Sequence, residues 1–197
     1  MSRLPMRRNS RERERGATIV ESALCLPVFL LVIFATMEFG LAFRSYLTLS
    51  ATTREAGRFS ATLGNDVDSD FQVVTGIVAS LAGTRGATLE QVVIYKSTGP
   101  LQTTAGGALA ACRAGSVANL CNSYVGSALT TPANNWACNY TSPDRYWCPG
   151  VRKVNLSDPP DYIGVYIKVR HQGLTGILGM TRTFTDEIVM RLEPHRT

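Results

Sequence analysis

Glu21 stands at the head of a run that carries no charge for sixteen residues, Ser22 to Met37, and five residues before it lies Gly16, followed by Ala17. A carboxylate deep in a hydrocarbon layer costs on the order of a few kcal/mol, so an acid in this place needs a partner that neutralises it. Cutting the chain between Gly16 and Ala17 would supply one in the new amine of Ala17, on the same chain or a neighbour. Ordinary secretory signals are cut after their apolar core, at a small-x-small triplet, whereas this cut would lie before it. The apolar segment would therefore stay on the mature chain.

The other residues able to do chemistry are five cysteines and two histidines. Cys25 lies inside the apolar run, while Cys112, Cys121, Cys138 and Cys148 share one later segment. An even number in an oxidising compartment reads as two disulfides. Zinc is the competing reading, but that segment has no Cys-x-x-Cys and no histidine between 112 and 148, so the ligand spacing is wrong. Three pairings stay open, with local closure, Cys112 to Cys121 and Cys138 to Cys148, preferred. Cys25 is not placed as a lipoprotein cysteine, because Leu24 precedes it and the apolar region follows; it reads as a helix residue against lipid or a neighbour. Neither His171 nor His195 sits beside a nucleophile in a known motif, and phosphate loop, metalloprotease helix and nucleophile elbow are all missing. The sequence thus gives no catalytic residue, cofactor or metal site. Asp66-Val67-Asp68-Ser69-Asp70 fails as a calcium loop, with Phe71 where glycine is needed and Ile77 where the closing glutamate is needed. These acids read instead as the start of a helix.

Charge narrows the class further. The formal net charge is +5, but residues 1–16 hold six arginines and two glutamates. The remaining residues carry fourteen basic and thirteen acidic side chains. The basic balance belongs to the leader, where arginines hold an N-terminus in the cytoplasm. No basic stripe is left to neutralise phosphates, so nucleic acid is not an expected partner. The alternation from Arg11 to Arg15 reads as a solvated, partly helical leader.

The elements that must position these residues begin with one long helix from Ala17 to about Leu63. Glu21 and Glu38 are seventeen residues apart, ~25 Å along a helix against a hydrocarbon core of ~30 Å, so one of them must lie at an interface or be paired. Extending the span through Phe43 to Arg44 supplies the missing length, gives a transmembrane stretch of about 22–43, and leaves Tyr46 near the outer headgroups. Pro27 is tolerable in such a helix. Beyond Arg44 the pattern turns amphipathic, with Leu47, Ala51, Arg54, Ala56 and Phe59 among Ser and Thr, so one face must pack on a domain. Arg54 and Arg58, at i and i+4, are placed to pair with Glu55, with an acid on a neighbour, or with water. Gly64-Asn65 is the stop. A helix from about Ser69 to Leu81 follows, with Phe71, Val74, Ile77, Val78 and Leu81 on one side. Glu90–Lys96 is the first strand, and residues 99–160 form a long irregular excursion stapled by the cysteines. Trp136, Tyr140, Tyr146 and Trp147 crowd this excursion, and packing over the disulfides is preferred to a sticky surface. Alternation over 162–170 gives a half-buried strand, and Thr181–Leu192 a second, antiparallel one after the Gly-rich loop 173–179. The fold class is α+β: a long N-terminal transmembrane helix running into a domain with a small antiparallel sheet and a disulfide-stapled irregular region.

The motifs Arg15-Gly16 through Glu21-Ser22-Ala23-Leu24 and Pro27, then Met37-Glu38-Phe39-Gly40 and Arg54-Glu55-Ala56-Gly57-Arg58, resemble the TadE-like minor pilins, or pseudopilins, of tight-adherence (Flp-type) pili. The close Val189-Met190-Arg191-Leu192-Glu193-Pro194 is similar to the end of such chains, with lower specificity. The resemblance implies cleavage by a prepilin peptidase after Gly16, Glu21 as the fifth mature residue, and assembly with other pilins or pseudopilins through the helix for surface attachment. Two departures, Ser22 where Phe is common and Thr52-Thr53 where alanines are common, leave Gly16 and Glu21 untouched. The resulting layout is a cytoplasmic leader over 1–16, a helix over 17–63 that crosses the cytoplasmic membrane once with its N-terminus inside, and a pilin-like extracytoplasmic domain over 64–197. The competing readings are an uncleaved single-pass anchor carrying an extracytoplasmic binding domain, and an enzyme carried on such an anchor.

Overall fold

The computed structural model describes residues 10–130, 136–155, 158–173 and 181–194, with side chains from Thr18 onward. The chain divides into two compact units, Met1–Gly40 and Leu41–Thr197. The first helix, α1, spans Ser10–Leu63 and contains Pro27. It starts earlier than the sequence reading placed it, because Arg and Glu between residues 11 and 15 are strong helix formers. It stops where expected: Gly64 has φ +60° and its N–H donates to the Ser60 carbonyl, the left-handed terminus that a side chain would resist. After a turn in which Asp66 Oδ1 accepts the Asp68 N–H at 3.1 Å, α2 spans Ser69–Ala82.

The second unit is built on a four-stranded antiparallel sheet in the order β2-β1-β3-β4, with β1 Ala87–Ser97, β2 Cys121–Val125, β3 Tyr162–Gln172 and β4 Thr181–Arg191. The first, third and fourth strands and the second helix lie where periodicity placed them. β2 does not follow from the sequence reading, which left 99–160 irregular: its five residues, Cys-Asn-Ser-Tyr-Val, are too few and too polar to stand out, and it is recruited as an edge by pairing Gln91–Tyr95 of β1.

One sheet face carries Val92, Ile94, Ile163, Val165, Ile167 and Val169, packed with Leu49 and Ala56 of α1, Val73, Val74, Ile77 and Leu81 of α2, and Trp136 and Trp147 of the excursion. The expected half-buried β3 is a correction, since Gly164 and Tyr166 on its other face are also buried. The cause is the excursion folding back: the 3-10 helix Gly107–Arg113 covers Val93, Tyr95 and Tyr166 with Leu109 and the Cys112–Cys121 bridge. Tyr95 lies so close over Gly164 that any Cβ there would collide with its ring.

The disulfides are Cys112–Cys121 and Cys138–Cys148, and Cys25 is free and exposed. They close nearest neighbours, as preferred above. The aromatic residues of the excursion divide: Trp136 and Trp147 are buried, with Trp136 stacked on Tyr124 at 4.8 Å, while Tyr140 stands in solvent.

Candidate membrane and assembly segment

Within the first unit, α1 presents large apolar side chains outward. Ile19, Leu24, Val28, Phe29, Leu31, Val32 and Phe39 are all more than half exposed. From Thr18 the helix contains a stretch of mean hydropathy 2.3 with none of it buried. By length and composition this helix is able to cross a bilayer, whose core a helix of ~20 residues spans. Glu21 lies exposed in this surface, one helical turn after Ala17, and Gly16-Ala17 is a peptide bond inside the continuous helix. Thr36 hides its hydroxyl by donating to the Val32 carbonyl at 2.8 Å. Glu38 is buried.

Past Gly40 the same helix changes character. Its buried residues are Ser45, Leu49, Thr52, Thr53, Ala56, Gly57, Ser60 and Ala61, a stripe at three- and four-residue spacing made almost entirely of small side chains. Small residues let the helix backbone approach the sheet. A Cβ on Gly57 would come within 2.5 Å of Ile188 Cγ2 on β4. Three hydroxyls in the stripe are satisfied one turn back, Ser45 on Leu41 O at 3.1 Å, Thr53 on Leu49 O at 2.9 Å and Ser60 on Ala56 O at 2.7 Å, so these three add no unpaired polar group to the interface. The sequence reading expected one face of this amphipathic stretch to pack without saying which; of the residues it named, Ala56 is buried while Leu47, Ala51, Arg54 and Phe59 are exposed. Packing at this distance selects for small volume, not for apolarity.

Arg54, Glu55 and Arg58 are exposed on the far side of this stripe, and the two arginines make no ion pair among the described residues. Arg58 and Glu55 line an open groove of about 400 Å³ between α1 and α2, floored by Ala56, Phe59, Val73 and Ile77. Glu38 precedes Arg54 by sixteen residues, more than four turns of α1, so the structure does not gather the polar residues of the helix into one cluster. No group of three or more metal-ligating side chains occurs among the described residues.

A model of the TadE-like protein family matches residues 16–58. Over these residues the chain is similar to TadE-like proteins. The match bears out the resemblance drawn from Gly16, Glu21 and the motifs after them, and it covers the span, Glu38 and the small-residue stripe as far as Arg58. It stops before α2 and the sheet. No curated protein and no solved structure matches the chain.

Beyond the matched residues in the chain, the domain is locked by a buried polar hub that sequence reasoning missed. Asp70, in the first turn of α2, accepts hydrogen bonds through Oδ2 from Asn122 Nδ2 at 2.9 Å, Tyr124 OH at 2.7 Å and Arg152 Nη2 at 2.8 Å, and its Oδ1 lies 2.7 Å from the same Nη2. Both ionic side chains are essentially sealed from solvent. The guanidinium lies over the Trp147 ring at 4.3 Å, and the Trp147 N–H donates to Asn122 Oδ1 at 2.8 Å. Burial, reinforced by the Asp70 carboxylate, pushes the Tyr124 hydroxyl well above its ordinary range, so Tyr124 stays a donor. The hub ties α2, β2 and the excursion together. The only signal was Asp70 itself, which stood among acids that read as a solvated helix start.

Proposed function

We propose that the chain is a minor pilin or pseudopilin of a tight-adherence pilus, processed by a prepilin peptidase after Gly16 and assembled with other pilins through α1. The observation that carries this reading is the TadE-like match over residues 16–58, a span that includes Gly16, Glu21 and the apolar run of the helix. The uncovered apolar surface of α1 supports it independently, because that helix needs lipid or other helices around it. In this reading the helix crosses the cytoplasmic membrane once with its N-terminus inside, the disulfide-bonded domain lies in the oxidising compartment outside, and Glu21 is the partner of the Ala17 amine on an adjacent subunit. Cleavage requires the Gly16–Ala17 bond to leave its helical geometry, which glycine, at ~1 kcal/mol less favourable than alanine in a helix, makes easier. The test is intact mass after co-expression with the peptidase: residues 1–16 are lost, and Gly16→Leu blocks the loss. Normal cleavage of Gly16→Leu, or no cleavage of the parent chain, would favour the uncleaved anchor.

A further inference from the structure

Cations gather at the end of the domain where α1 enters it. Ser45, just after Arg44, accepts or donates a hydrogen bond with His171 Nδ1 at 3.0 Å, which fixes the start of this part of the helix against the end of β3. His171 pairs with Arg182 of β4 and with Ala87 of β1, and Gln172 N–H donates to the Gly86 carbonyl at 2.8 Å, which brings Arg85 to the same end. Arg170 and Lys168 lead into it along β3. Glu90 is the acid among them, 3.2 Å from both Lys168 Nζ and Arg170 Nε. Arg44, Arg85 and Arg182 are exposed and have no ion pair among the described residues. The opposite end, where α1 finishes eighteen residues after Ser45, ~27 Å away along the helix, exposes both signs, Asp66 and Asp68 with Arg58 and Arg191.

Arg44 is the first basic residue after the apolar stretch, six residues beyond Glu38, so a span extended through Phe43 sets Arg44 at the headgroups. Tyr46 beside it is half exposed and packs edge-on to Phe184 of β4 at 5.9 Å, an amphipathic aromatic of the kind that sits at a membrane surface. We propose that this end of the domain, Arg44, Arg85, Arg170 and Arg182 with Lys168, rests on the bilayer that holds α1 and binds the phosphates of its anionic phospholipids. Four of the five cations are arginines, whose planar fork of donors matches a phosphate better than an ammonium does. This inference rests on the membrane reading of α1 but adds to it a preference for lipid charge. Contact of this kind would hold the domain upright on the membrane before assembly.

The test uses the full chain reconstituted into phosphatidylcholine vesicles and into mixed phosphatidylcholine and phosphatidylglycerol vesicles, with hydrogen exchange read at residues 85–89 and 181–184. In the mixed vesicles exchange there slows about fivefold for each arginine engaged, the equivalent of ~1 kcal/mol. The slowing disappears in high salt and in Arg85→Gln/Arg170→Gln/Arg182→Gln. Unchanged exchange over residues 92–95 shows that the variant is folded; Arg182→Gln alone, with a smaller loss of slowing, serves if the triple variant is not. Equal exchange in the two vesicle types, with the chain incorporated in both, overturns the proposal and leaves the anchor standing. Slowing that follows the protein-to-lipid ratio instead of lipid charge also overturns it and assigns the surface to the Asp66 and Asp68 end of a second copy. Failure to incorporate in either vesicle contradicts the membrane reading itself.

Discussion

The two halves of α1 are one continuous helix with opposite rules for what faces outward. Before Gly40 the outward residues are Ile19, Leu24, Phe29, Leu31 and Val32; after it, the inward residues are Ser45, Thr52, Thr53, Ala56, Gly57 and Ser60. The first half is selected by its solvent and the second by the distance to its neighbour. In lipid, large apolar side chains lie in contact with the medium at no cost, whereas a helix seated on a sheet at short range needs small volume and internally bonded hydroxyls. The hydrophobic strength of a helix face is therefore a poor guide to whether that face is buried in this protein.

The comparison is broken most severely by changes under the second half. Asp70→Ala should destabilise the domain by ~3 to 5 kcal/mol, because it strands the buried Arg152 guanidinium and takes an acceptor from Tyr124 and Asn122. Thermal unfolding of the detergent-solubilised chain reads this, and replacing Asp70 and Arg152 together by apolar residues should cost much less than either alone. Cys112→Ser or Cys148→Ser should cost ~2 to 5 kcal/mol and open the covered sheet face or the excursion respectively, seen as thiols reactive to alkylation. Gly57→Ala should cost ~1 to 3 kcal/mol through overpacking against Ile188, while Leu24→Ala, in the first half, should leave the unfolding of the domain unchanged. If Leu24→Ala lowered domain stability as Gly57→Ala does, the contrast between the halves would be lost.

How much of this was legible in the sequence follows from the same physics. The long apolar helix, the stop at Gly64, α2 and the strands β1, β3 and β4 announce themselves through composition, periodicity or a single glycine. The local disulfides were the preferred of three open pairings. The small-residue stripe was hidden, because Ser45, Thr53 and Ser60 look polar until their hydroxyls are seen to bond the preceding turn. β2 was hidden because a five-residue polar edge is made by its neighbour. Asp70 was hidden because an acid in a first turn has an ordinary explanation, and nothing local shows that Arg152, eighty-two residues later, lies on top of it. The Gly-rich loop 173–179, except Gly173, and His195 lie outside the described residues. The processing and assembly roles of Gly16, Ala17 and Glu21 rest on pattern, since they concern contacts with other chains.

The smallest expected effect is a dependence on pH. Burial pushes the Asp144 carboxyl above the usual 3.8, so the native state keeps its proton where the unfolded chain has lost it. Its contribution to stability is greatest below the unfolded value and falls as pH rises through the folded one. Asp144→Asn keeps an acceptor for the Cys138 N–H and should flatten that fall. Denaturant midpoints at acid and neutral pH give the comparison, and an unchanged slope would exclude Asp144 as its source.

The most direct test of the pilin reading is Glu21→Gln. A carboxylate that merely tolerates its place near the membrane surface makes the change neutral, since it removes a charge. A carboxylate paired with the Ala17 amine of an adjacent subunit leaves that cation unmatched in an apolar bundle, a loss of ~3 to 5 kcal/mol against ~0 to 1 for a surface pair. Crosslinking through α1 in cells that make the pilus, read together with insertion and leader removal, separates the two. The pilin reading predicts a Glu21→Gln chain that inserts and is cleaved but does not crosslink to itself or to other pilins; undiminished crosslinking and adherence would contradict it.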